Sequence, residues 1–268
     1  MKRLEKKNRG GFTLIELVIV VAVLAILAML LVPRLAFVRT MATYSNEAAS
    51  IQDVAQNMLV YHATQAVWPD HFDSLMDSAA ATWYGWEANA TNGLDTNLKG
   101  VLAVTTLTTN QWKSLQGLLG QPNGSSAATV TVMDHDQVSQ PGDSGTIIRS
   151  LGADQQVLKI NSDGTGTLPS DPNAASALVI YNTVFPGGVN PKSNIILAFG
   201  VGPACTAVGK TIISAPQAYM KDSTRYNRTI ILIRVDPTGV QASLAGALAP
   251  DGRTLNQCLG NYRVTAQR

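Results

Sequence analysis

Residues 12–32 read FTLIELVIVVAVLAILAMLLV, an apolar run broken by a single acid, Glu16. As a helix rising about 1.5 Å per residue, the run spans about 30 Å, the thickness of a bilayer's hydrocarbon core. Ahead of it, residues 1–11 carry Lys2, Arg3, Lys6, Lys7 and Arg9 against Glu5, while behind it only Arg34 and Arg39 follow closely. The positive-inside rule therefore places residues 1–11 in the cytoplasm and the bulk of the chain on the far side of a membrane. A secretory signal peptide has a shorter apolar core that ends at a small-residue cleavage site. A plain anchor has no use for a carboxylate so early in the run, because an ionisable group is costly in lipid and marks a functional position by default.

The segment Gly11-Phe12-Thr13-Leu14-Ile15-Glu16-Leu17-Val18-Ile19-Val20-Val21 resembles the prepilin cleavage and methylation motif of type IV pilins and of type II secretion pseudopilins. The resemblance implies that a prepilin peptidase cuts between Gly11 and Phe12 and that the new N-terminal Phe12 is N-methylated. It implies subunit assembly through Phe12, Glu16 and Pro33, with Glu16 pairing with the terminal amine of a neighbouring subunit. Opposite charges in apolar surroundings are each costly alone and attract strongly together, so such a pair sets register. Pro33 removes a helix hydrogen bond and predicts a kink or local loosening. Ala25 stands where many pilins have glycine and favours helix. The implied partners are other pilins in a homo- or hetero-oligomeric filament, the peptidase, and an inner-membrane assembly machinery. The implied path is single-pass insertion in the inner membrane with a cytoplasmic N-terminus, followed by an extracellular filament serving adhesion, motility or DNA uptake. A pseudopilin driving type II secretion is the alternative. A membrane-anchored periplasmic enzyme is a third reading, opposed by Gly11 to Glu16.

The helix is predicted to continue to Gln65. Val38, Met41, Tyr44, Ala48, Ile51, Ala55, Met58, Leu59 and His62 recur at three- and four-residue steps, with polar residues between them, an amphipathic stripe suited to packing on a sheet. Trp68-Pro69-Asp70 ends it. The predicted organisation is a cleaved leader over 1–11, a long helix over 12–65 (12–32 transmembrane, 33–65 amphipathic), a connecting region over 66–150, and a sheet region over 151–268. Strands are predicted at Ala128–Met133, Val157–Ile160, Ala177–Phe185, Ile195–Phe199, Ile230–Val235 and Tyr262–Thr265. A short helix is predicted at Gln111–Leu119 with Asn110 as N-cap, and a hairpin turn at Asn161-Ser162-Asp163-Gly164. The fold class is α+β: a long protruding N-terminal helix packed on a C-terminal antiparallel sheet.

Charged residues make up only 14% of the chain, which suits an exported protein better than a cytosolic enzyme. The formal net charge of +2 resides in the basic leader, so the remainder is slightly acidic and offers no global attraction for nucleic acid. Cys205 and Cys258 are the two cysteines. In an exported chain an isolated pair reads as one disulfide, the alternative being two buried free thiols. The bridge would close a loop of about 50 residues, worth about 4 kcal/mol in the chain-entropy picture.

Other motifs carry less. Gly142-Asp143-Ser144-Gly145 resembles the nucleophile segment of trypsin-like proteases, but His62, His71 and His135 do not supply a suitable base, and a polar turn is expected. Asp134, His135, Asp136 and Asp143, like Asp163 and Asp171, lack a calcium-loop spacing and read as solvated loops. Gly200-Val201-Gly202 is not a phosphate cradle. No metal, cofactor or catalytic set is assigned. Trp68, Trp83, Trp86 and Trp112 read as a local core or as an exposed contact patch. Tyr219, Lys221, Arg225, Tyr226 and Arg228 mix basic and aromatic groups as single-strand binders do, a minor alternative in a slightly acidic chain.

Overall fold

The computed structural model describes residues 13–66, 68–76, 93–118, 130–134, 147–152, 154–161, 176–185, 194–217, 225–237 and 242–266. Helix α1 spans Leu14–Gln65, 52 residues, unbroken at Pro33 and Ala25. Two compact units divide at Ala42/Thr43. In the first, the helix carries its Leu, Ile and Val side chains exposed, with Leu14 at 80% and Val32 at 64% exposure. It is long and apolar enough to cross a membrane.

The second unit holds a sheet of strands β1 (Phe72–Asp73), β2 (Leu102–Thr106), β3 (Val130–Asp134), β4 (Ile147–Leu151), β5 (Gln156–Ile160), β6 (Ile195–Gly200), β7 (Ile230–Val235) and β8 (Ala242–Leu248). The described order is β2-β5-β6-β1-β3-β4, with β7 and then β8 continuing from the other side of β6. Pairing is antiparallel except between β1 and β3. Among the described residues, four helices accompany the sheet: α2 (Thr96–Val101), α3 (Thr109–Leu118), α4 (Ala177–Val184) and α5 (Leu255–Ala266).

β6 and β7 are nearly continuous apolar runs, Ile-Ile-Leu-Ala-Phe-Gly and Ile-Ile-Leu-Ile-Arg-Val. Such strands suit a sheet covered on both faces. Alternate side chains divide between two core clusters. Leu197, Phe199, Ile231 and Ile233 join Val54, Met58 and Tyr61 of α1 and Leu115 of α3. Ile196, Ala198, Ile230 and Leu232 join Leu98 and Val101 of α2 and Ile180 and Tyr181 of α4. A smaller cluster seats Ala48 and Ile51 of α1 against Ala247, Ala249 and Cys258.

Several sequence expectations need correction. Ala177–Phe185 is not a strand but α4, ending at Val184, with Ile180, Tyr181 and Phe185 buried on the sheet. The Leu-Val-Ile run has strand-like composition, and packing on a face that needs a cover overrides it. Tyr262–Thr265 lies within α5. Thr108, not Asn110, begins α3: its amide donates to Gln111 Oε1 at 3.0 Å and Gln111 N–H donates to Thr108 Oγ1 at 3.3 Å. Thr254 and Gln257 repeat this reciprocal cap on α5, at 3.0 and 3.4 Å. The hairpin expected at residues 161–164 lies, beyond Asn161, outside the described residues.

The expected Cys205–Cys258 bridge is not formed. Both are free, buried thiols, Cys205 in the cluster with Phe199 and Val201 and Cys258 in the one with Ala48 and Ile51. The two cysteines seal separate apolar clusters, and burial pushes each thiol up to about 12.

Candidate functional site

The N-terminus of α1 has a built geometry. Thr13 donates its backbone N–H and its hydroxyl to Glu16 Oε2, each at 2.9 Å, and Glu16 N–H returns a longer bond to Thr13 Oγ1 at 3.4 Å. This is a capping box, Thr-Leu-Ile-Glu, closing the first turn of α1 at the head of its apolar half. The sequence reading treated Glu16 as an intersubunit acid and missed this local role, although a Thr followed three residues later by Glu before an apolar run is its signature. Glu16 is thereby fixed at the helix mouth, three positions after Thr13. Gly11 and Phe12 lie outside the described residues, and Pro33 sits within the continuous helix.

In the second unit, two carboxylates are buried with arginine partners. Asp73 of β1 accepts from Tyr226 Oη at 2.9 Å and from Arg228 Nη1 at 3.2 Å. All three residues are buried. Burial raises the Asp73 carboxyl to about 6 despite the arginine beside it, and raises the Tyr226 phenol well above its usual range. Gly200 and Gly202 make room: an added Cβ would lie 1.7 Å from Tyr226 Oη and 2.2 Å from Asp73 Oδ1, respectively. The Gly-Val-Gly segment thus accommodates a buried ion pair.

Glu47 of α1 accepts from Arg253 Nη2 at 2.7 Å. Arg253 also pairs with Asp251 and lies over the Tyr44 ring, 4.7 Å from its centroid. Burial raises the Glu47 carboxyl to about 7, offset in part by Arg253. This cluster ties the turn before α5 to α1 without a covalent bond.

The basic–aromatic group dissolves as a surface. Tyr226 and Arg228 are buried on Asp73, Arg225 pairs with Asp95 at 3.1 Å, and Tyr219 and Lys221 lie outside the described residues. Trp68 stacks on His62 with centroids 4.2 Å apart, and Trp112 Nε1 donates to the Leu151 carbonyl at 2.8 Å. Both flank the core cluster of Met58 and Phe72, as a local core requires, while Trp83 and Trp86 fall outside the described residues. So do residues 142–145, His135, Asp136, Asp163 and Asp171.

Residues 6–32 match the family model described as the prokaryotic N-terminal methylation motif. The chain carries a prepilin-type methylation motif. That motif is the hallmark of type IV pilins and pseudopilins, and here it covers the capping box and the exposed apolar half of α1. The match ends at Val32, ahead of Pro33. No characterised protein and no solved structure matches the chain.

Proposed function

We propose that this pilin-like protein is a structural subunit, major or minor, of a type IV pilus. One observation carries the reading: the methylation motif heads a long helix whose apolar side chains find no cover within their own unit. A prepilin peptidase removes residues 1–11, and Phe12 becomes the methylated N-terminus. The apolar helix first resides in the inner membrane and then exchanges lipid for its neighbours' helices in an extracellular filament serving adhesion, motility or DNA uptake. No step calls for a catalytic set or cofactor, and the protein's work is assembly.

Intact-mass measurement of the protein from its native host, together with electron microscopy of sheared surface filaments, tests this. Loss of residues 1–11 with one added methyl, in protein recovered from external filaments, supports it. Met1 retained in assembled protein refutes the processing step. Processed protein confined to the envelope, with secretion lost on deletion, makes the chain a pseudopilin instead.

A further inference from the structure

One nitrogen, Arg253 Nη2, serves two carboxylates. It donates to Glu47 Oε2 at 2.7 Å and also pairs with Asp251 Oδ2, which accepts a second bond from Nε at 2.5 Å. The Arg253 backbone N–H donates to Asp251 Oδ1 at 3.2 Å, so Asp251 is tied to the turn that carries the arginine. Glu47 comes from α1, 206 residues away, and its bond is the one that crosses between elements. All three side chains are largely shut off from water, Glu47 at 3% exposure. Two acids against one guanidinium leave a negative charge over when both are ionised. Among the described residues no second cation pairs with either acid.

The turn that bears Arg253 leads into α5, and little else seats that helix. Its apolar contact joins Leu255 and Cys258 to Ala48 and Ile51 of α1 and to Ala247 and Ala249, mostly small side chains that bury little apolar area. α5 has 12 residues, too few to hold a helix in water unaided, so its amides are protected by the seat. The other titratable groups of the cluster, among the described residues, are Tyr44 of α1, under the guanidinium, and the Cys258 thiol, which burial keeps protonated.

We propose that Glu47, Arg253 and Asp251 form a proton-operated latch: α5 stays seated on α1 while the cluster holds one proton, and lifts when both acids are ionised. The leftover charge is costly in a buried site and is relieved when the turn swings into water. Burial raises the Glu47 carboxyl to about 7 in the seated state, against about 4.3 for an exposed glutamate. The seated state therefore binds the proton more tightly, and seating weakens as pH rises through 7. Between pH 6 and pH 8 the lifted fraction should grow about tenfold. The latch acts on α5 alone and does not depend on the pilus reading.

Hydrogen exchange of the full-length protein in detergent, read by mass spectrometry at pH 6 and pH 8 and corrected for the intrinsic rate, tests this. At pH 8 the α5 amides should be less protected than those of β6 and β7, having lost about tenfold in protection since pH 6. Glu47→Gln keeps an acceptor for Arg253 without the charge, so its α5 protection should be level across that range. Asp251→Asn leaves Glu47 alone with the guanidinium, and its α5 should be better protected than wild type at pH 8. The second variant decides the matter should the first loosen α5 at both pH values. Protection of α5 equal to that of β6 and β7 would mean that it opens only with the whole unit and would overturn the latch. A wild-type pH dependence of α5 in both variants would overturn it too.

Discussion

Thr13 and Glu16 hold each other across the first turn of α1, with the Thr13 amide and hydroxyl both 2.9 Å from the same carboxylate oxygen. The acid to which the proposed function gives an assembly role is therefore also the acid that caps the helix. The two roles separate experimentally. Glu16→Gln keeps an acceptor for the cap but removes the charge, so it should leave the membrane level of the protein unchanged and abolish filaments. Thr13→Val loses the hydroxyl but keeps the charge, so it should fray the first turn and reduce filaments only partly. Comparing membrane and sheared fractions on blots checks both; wild-type filament yield from Glu16→Gln would show that capping alone is required.

The Asp73–Tyr226–Arg228 cluster predicts a severe glycine effect. Gly202→Ala drives a methyl into Asp73 Oδ1, and Gly200→Ala drives one into Tyr226 Oη. Overpacking of this kind costs about 1–3 kcal/mol, more if the ion pair breaks. Arg228→Met, which strands a buried carboxylate, should cost about 3–5 kcal/mol. Thermal melts of detergent-solubilised full-length protein measure these losses; a Tm unchanged in all three variants would contradict the packing described.

Stability should fall as pH rises from 5 to 8. The folded protein holds protons on Asp73 and Glu47 more tightly than the unfolded chain does, with values of about 6 and about 7. Their contribution is complete below the ordinary carboxyl range of about 4, and it is lost as pH rises through 6 for Asp73 and through 7 for Glu47. Glu47→Gln keeps an acceptor for Arg253 and removes one titration, so it should flatten the upper part of the profile by about 1–3 kcal/mol. Melting curves at pH 5, 6, 7 and 8 for both proteins give the comparison, and parallel profiles would rule Glu47 out as a source.

Neither cysteine should behave as half of a bridge. In the non-reduced native protein both thiols should resist a maleimide, and both should add it once guanidinium is present, with no reductant needed. A mass that shows two labels only after reduction would restore the disulfide.

The apolar segment, the acid within it and the amphipathic continuation of α1 were all legible in the sequence, because a helix writes its surroundings into a period of 3.6 residues and a membrane demands length. β5, β6 and β7 were legible for a related reason: β-branched runs bounded by turn residues have few other uses. The capping boxes at Thr13, Thr108 and Thr254 were equally present as Thr-x-x-Glu/Gln patterns and could have been read. What the sequence left open was settled by partners distant along the chain. Ala177–Val184 became a helix because the second sheet face needed cover, and β8, rich in Ala and Gly, became a strand because β7 offered a ladder. Arg228 and Tyr226 turned inward because Asp73, more than 150 residues earlier, lies buried there. Cys205 and Cys258 stayed apart because each completes a different apolar cluster. Local periodicity fixes an element's type only where its environment is uniform; where two faces of one sheet compete for short, apolar segments, tertiary packing decides.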